Sequence, residues 1–241
     1  MKRLPWKVRD FHVVGGGCFG SHYVRQLLKA RDYNHLEFRN IKVIDHNPHC
    51  ALTRSDLLQA GQVSLVLADW EDYLSDFLQK NLNQSETALD HWVPSPLSPH
   101  LLFLAFLRAA KLSFEILDLG KSFKNKGPEI HLAPPVKIPL ASGSLALSFA
   151  KWKCPVHCIE PKFCPGIEDF RDWEMALALK KESQVLVCRH RLQGVGTIAM
   201  AEILEEFQNL LKSLEDPQYQ IFKLATLSTC HGVLGEARLL R

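Results

Sequence analysis

A chain of 241 residues with 46% hydrophobic residues, 23% charged residues and a formal net charge of +3 has room for one large α/β domain or two small ones. Lysines and arginines are dispersed rather than striped, so nucleic acid is not an expected partner. The basic stretch Met1–Lys7 has no apolar run behind it, and the run Leu101–Leu107 is too short for a bilayer, which argues against a secretion signal and a transmembrane segment.

The first predicted element is the strand Phe11–Val14, which ends in Gly15-Gly16-Gly17-Cys18-Phe19-Gly20 and opens into a helical pattern. Gly15, Gly17 and Gly20 fit the spacing G-x-G-x-x-G, whose glycines serve a tight turn, close approach to a pyrophosphate, and close helix–strand packing. A helix beginning near Cys18 aims its free N–H groups at phosphates. The second strand, Ile41–Asp45, ends in an acid at the place expected of a ribose-binding carboxylate. Such a carboxylate accepts ribose hydroxyls and repels a 2′-phosphate, which favours NAD over NADP among adenine nucleotides.

A third strand is expected over Val63–Asp69, a helix over Glu71–Leu82, a short strand over Ala88–Val93, an apolar helix over Pro96–Lys111 and a fifth strand over Ser113–Leu117. The helix at 96–111 is apolar around most of its circumference, as helices buried in a domain or a homodimer interface are. Strands alternating with helices predict a doubly wound, Rossmann-like parallel sheet for residues 1–120. In the stretch Asp90–His100, one reading makes His91 or His100 an acid/base or ligand residue. The other, which we favour, is a proline-stiffened turn capping a buried helix through Ser95 or Ser98.

With its glycine loop, Val43-Ile44-Asp45 and Ala68-Asp69, this half resembles the TrkA-N (RCK-type) nucleotide-binding domain. The resemblance covers roughly the first hundred residues. It implies a Rossmann-type fold binding NAD(H), ATP or ADP as a regulatory ligand. It also implies phosphate contacts from Gly15, Gly17, Phe19 and Gly20, a ribose contact from Asp45 and an adenine-side role for Asp69. The glycine triplet is also similar to that of the dehydrogenase domain of sirohaem synthesis.

Residues 121–144 read as a connector, basic and then proline-broken, and 145–241 as a smaller α/β part. Here Leu145–Ala150 reads as a strand running into Cys154, Cys158 and Cys164, three cysteines in eleven residues, two of them followed by proline. Their spacing, C-x₃-C-x₅-C, is neither a zinc knuckle nor a bacterial ferredoxin motif. Cys230, beyond the strand Gln220–Leu227, supplies a fourth ligand for a zinc ion or an iron–sulfur cluster, with His157 and His231 as further donors. Cys18, Cys50 and Cys188 read as lying outside this site. Seven cysteines without a secretion signal suggest a reducing compartment, and the cytoplasm is the expected location. Between the cysteines, Ile167–Lys181 reads as a helix, Gln184–Arg189 as a strand, and Gly194-Val195-Gly196 as the turn opening a helix over Thr197–Leu214.

Two functions fit these features. One is an NAD(P)-dependent oxidoreductase with a metal or cluster beside its cofactor, drawing acid/base groups from His91, His100, His157 or Glu160. The other is a non-catalytic nucleotide-sensing module whose cysteine site is structural zinc or a redox sensor.

Overall fold

The computed structural model describes residues 4–82, 84–94, 101–121, 136–152, 154, 158–180, 182–192 and 194–240. His100 and His157, the start of the helix expected at 96–111 and much of the connector lie outside them.

The chain begins with β1 (Trp6–Lys7), β2 (Asp10–Val14), α1 (Cys18–Asp32), β3 (Leu36–Glu37) and β4 (Asn40–Asp45). Two short 3-10 turns lead to β5 (Val63–Leu67), α2 (Trp70–Asn81), β6 (His91–Val93), α3 (Leu101–Ala109) and β7 (Ser113–Ile116). After the connector come β8 (Val136–Pro139), β9 (Leu145–Ser148), β10 (Phe163–Cys164), β11 (Asp169–Phe170), α4 (Met175–Leu179) and β12 (Gln184–Val187). The described chain closes with β13 (Arg189–Leu192), β14 (Val195–Ala199), α5 (Met200–Ser213), β15 (Ile221–Leu227) and β16 (His231–Leu240).

Twelve of these strands build two six-stranded sheets, with β1-β3 and β10-β11 as separate pairs, and neither large sheet is the doubly wound parallel sheet expected from the sequence. The first has the order β13-β14-β6-β2-β4-β5. Its β6, β2, β4 and β5 are parallel, but β14 pairs antiparallel with β6 and β13 antiparallel with β14. The second has the order β12-β15-β16-β9-β8 and is antiparallel except for the pair β12 and β15. The reason is local. Strand–helix alternation continues through α3 to β7, but β7 joins the second sheet rather than the first, and hairpins then supply antiparallel strands in place of the long crossovers that parallel strands need. Gly194-Val195-Gly196 is such a hairpin and not a helix start: Gly194 takes φ +83 in the turn, and Val195 and Gly196 belong to β14. Likewise, among the described residues of the helix expected over Ile167–Lys181, only Met175–Leu179 is α-helical.

The sheets exchange strands. β7, from the first half, pairs with the end of β16, while β9 pairs with its beginning. The link from β12 to β13 is the single residue Cys188, at which the chain leaves the second sheet for the first. Between the sheets lie α2, α3 and α5, in one core that takes Val14, Ile44 and Trp92 from the first and Leu186, Phe222 and Leu224 from the second. Side chains alternate across a strand, so Phe11 and Val13 face the opposite way, into a core shared with Val24 and Leu27 of α1. Ala225 and Leu227 similarly face a third core with Met175 and Leu179 of α4.

Most of α3 is buried inside this chain. Its Phe103 stacks on Phe222 with ring centroids 5.6 Å apart, and Phe106 meets Phe207 edge-on at 5.3 Å. The apolar circumference that suggested a domain or dimer interface is therefore covered from within. No helix among the described residues is long and apolar enough to cross a membrane.

At the amino ends of β2 and β6, Asp10, His12 and Asp90 are fully buried. Arg9 Nε and Nη2 each donate to Asp90 at 2.6 Å, while Arg39, Asn40 and Lys42 donate to Asp10 at 2.9 to 3.1 Å. Burial would raise both carboxyls, but these donors win and hold both below the usual carboxylate range. Burial pushes His12 down and His91 down to about 4. Below pH ~6.5 the unfolded chain therefore binds protons that these folded histidines refuse, and stability falls as pH falls. Between pH ~6.5 and ~4, His91 alone accounts for a loss of about 3 kcal/mol. Below that, protonation of Asp10 and Asp90 removes the contribution of their ion pairs. Urea midpoints measured from pH 7 to 4 should fall steadily, and His91→Phe should flatten the profile; a flat wild-type profile would refute the assignment.

Candidate metal centre and glycine loop

Three chain segments build the cysteine site. Cys154, Cys158 and Cys164 come from the loop after β9, with Cys164 closing into β10. β10 pairs with β11, setting Cys164 opposite Asp169 and bringing Arg171 next to the loop. Cys230 sits in the turn between β15 and β16, where Ser228 N–H donates to the His231 carbonyl at 2.7 Å and the Cys230 carbonyl accepts from Phe149 N–H at 2.9 Å.

All four cysteines line one cavity of about 80 Å³, together with Glu160, Pro161, Arg171, His190 and His231. Glu160 ties the segments together from a left-handed backbone, φ 52. Its N–H donates to Cys158 Sγ at 3.3 Å and its carboxylate accepts from Thr229 N–H at 3.0 Å. Arg171 Nη1 donates to Cys230 Sγ at 3.4 Å, and Nη2 donates to the Glu160 carbonyl at 2.5 Å. Cys230 is thus fastened to the cysteine loop by protein contacts alone.

Ionisation in this cavity is strained. Burial, then the charges of Cys158, Cys230 and Cys164, push the Cys154 thiol up. Burial also raises Cys230, against the hydrogen bond from Arg171. Glu160 goes the other way: burial would raise it, but hydrogen bonds from Ser228 and Thr229 hold it below the usual range. Four bare thiolates in so small a space repel one another, and a cation relieves that repulsion. Among the described residues no set of three or more His, Cys, Asp or Glu side chains is already drawn together as a formed metal site. The cysteines line the walls without converging.

The remaining cysteines stand elsewhere. Cys18 is exposed at the start of α1, and Cys50 is buried beside Gly16. Cys188 is buried between the sheets, where desolvation pushes its thiol up to about 12.

At the glycine loop, Gly15 adopts φ +81 and its N–H donates to the Ile44 carbonyl at 2.8 Å. A Cβ on Gly20 would lie 1.7 Å from the Gly15 carbonyl oxygen, so only glycine lets α1 sit on this turn. The Gly17 side is open, with no atom within 4 Å of a Cβ there. Gly17 is also the N-cap of α1, which has no side-chain cap and no acid in its first turn. Asp45 is buried, and its carboxylate accepts from Gly16 N–H at 2.6 Å and Asn47 N–H at 2.8 Å. Asp69 caps α2, accepting from Glu71 and Asp72 N–H groups at 2.9 and 3.2 Å. Phe19 packs against the core between α1 and the first sheet. His91 is buried in β6 with its ring 4.7 Å from that of Trp6.

Sequence reasoning passed over His190 and Arg171. His190 is hidden in Arg189-His190-Arg191 at the end of an expected strand, and no spacing links Arg171 to the cysteines.

The sequence model of one protein family, AF_1314_C, described as an uncharacterized protein, C-terminal domain, matches residues 109–239. That span holds all four cysteines, Glu160, Arg171, His190 and His231, and leaves out the glycine loop. Neither the curated proteins nor the solved structures contain a match.

Proposed function

This chain belongs to the AF_1314_C family, whose model covers more than half of it, and we propose that it is a metal-binding protein with a thiolate centre at Cys154, Cys158, Cys164 and Cys230. The supporting observation is that these four cysteines, drawn from two distant parts of the sequence, line one cavity. Four thiolates suit tetrahedral zinc at about 2.3 Å or an iron–sulfur cluster. Donors from Glu160 and Arg171 to two of the sulfurs would hold the thiolates in place once a metal binds. Free thiols throughout fit a reducing compartment, the cytoplasm. The test is anaerobic purification with elemental analysis and an absorption spectrum. Zinc or iron in a fixed ratio to protein is expected, a band near 400 nm marking a cluster; protein free of metal would remove the proposal.

A second activity, binding of an adenine nucleotide such as NAD at the glycine loop, draws support from the open, uncapped start of α1 at Gly17. A nucleotide held there beside a metal centre would suit an oxidoreductase; held without chemistry, it would suit a regulatory module. Gly17→Val fills the space open to a pyrophosphate and should weaken NAD binding at least ~10-fold. Isothermal titration of the folded variant checks this, and unchanged affinity would end the nucleotide reading. Asp45 is a poorer place to test it, because that carboxylate also holds the loop together.

A further inference from the structure

Two histidines stand where the cysteine cavity meets a second, larger space. His190, in β13, and His231, at the start of β16, line both. The larger space is a cleft of about 630 Å³, within the range of roughly 300 to 1,000 Å³ usual for small-molecule sites. Its walls come from β8, β9 and the ends of β15 and β16 that meet at the Cys230 turn, and it reaches Pro94 just past β6. No Asp, Glu, Lys or Arg among the described residues lines it. A charged ligand would be desolvated there without a partner.

The hydrogen bonds fix the tautomer of the two rings that line this space. His190 Nδ1 lies 2.9 Å from the Cys158 carbonyl, which can only accept, so Nδ1 carries the proton. His231 Nδ1 lies 3.0 Å from Ser148 Oγ, and that hydroxyl spends its own proton on the Ala150 carbonyl at 2.9 Å. Nδ1 is again the donor. In both uncharged rings Nε2 is left as an acceptor, and among the described residues neither Nε2 has a hydrogen-bond partner. A ligand head that completes them must therefore donate.

We propose that this cleft binds a small uncharged molecule with an apolar body and a hydroxyl or thiol head, the head donating to Nε2 of His190 or His231 beside the cysteines. The site does not require the metal centre to be loaded.

The test uses the full chain, before and after treatment with a chelator, and 2-naphthol as the probe, followed by its fluorescence. Saturable one-site binding is expected in both preparations. Naphthalene, which lacks the donor, should bind several-fold more weakly, and 2-naphthalenesulfonate, which carries a charge, at least ~10-fold more weakly. The paired change His190→Phe and His231→Phe should lower 2-naphthol affinity about 10-fold and bring it level with naphthalene. Ala146→Phe, which fills the cleft from β9, should abolish binding in protein whose circular dichroism is unchanged. The proposal is overturned if 2-naphthol binds Ala146→Phe as well as the native chain, or if the sulfonate binds as tightly as the alcohol. Anaerobically purified protein that holds no metal before any chelator is added, yet binds 2-naphthol, would remove the cysteine centre and uphold the cleft.

Discussion

Cys230→Ser is expected to strip the centre of its metal and lower the melting temperature by about 10 °C or more. Three of the proposed ligands lie within one short loop, so bringing them together costs little chain entropy. Cys230 comes from the turn between β15 and β16, and a metal bound to it cross-links that turn to the cysteine loop. Such a site is absent from the unfolded chain, so its binding energy adds to folding stability. Losing one of four ligands forfeits several kcal/mol, and each kcal/mol moves the midpoint of a chain this size by roughly 2 to 4 °C. Cys50→Ser and Cys188→Ser should leave the metal in place, because both thiols are packed away from the cavity. Metal content by mass spectrometry and melting by calorimetry read the two effects separately. A Cys230→Ser protein with full metal would move the fourth ligand to His231 or His190.

Gly20→Ala should destabilise the chain by about 3 kcal/mol or more, a large effect for one methyl group. The added Cβ would sit 1.7 Å from the Gly15 carbonyl oxygen and 2.9 Å from its carbon. Both are backbone atoms of a turn pinned by the bond from Gly15 N–H to Ile44, so the turn cannot yield cheaply. Helix α1 would have to lift from β2, opening the packing of Val24 and Leu27 on Phe11 and Val13. Gly17→Ala is the control: nothing lies within 4 Å of its Cβ, and its stability should stay within about 1 kcal/mol of the native chain. Urea unfolding distinguishes the pair, and equal midpoints would mean that the loop is not closed as described.

The readable parts of the sequence were those whose signal is local. An apolar run ending in glycines marked β2 and α1, and helical spacing placed α2 at Trp70–Asn81, close to the expected Glu71–Leu82. The cysteine cluster was legible because cysteine and proline at short spacing are unusual as core filler. Strand direction was not legible. Ser113-Phe114-Glu115-Ile116 reads the same whether it joins the first sheet in parallel or, as it does, pairs antiparallel with the last strand of the chain. The β13–β14 hairpin was taken for a helix start because a glycine turn serves both, and only the partner strand β6 decides between them. His190 joined the site through that same hairpin, so missing one meant missing the other.

The one-residue passage at Cys188 bears on how the chain can be divided. A fragment cut to residues 109–239, the span that the family shares, would carry the β13–β14 hairpin but not β6, the strand on which it leans. It would leave the edge of β14 bare, along with the part of α5 that packs against α2. Exposed edges of this kind recruit other chains. Truncation at the family boundary would therefore yield an aggregating piece, and the shared half is better studied with the whole chain around it.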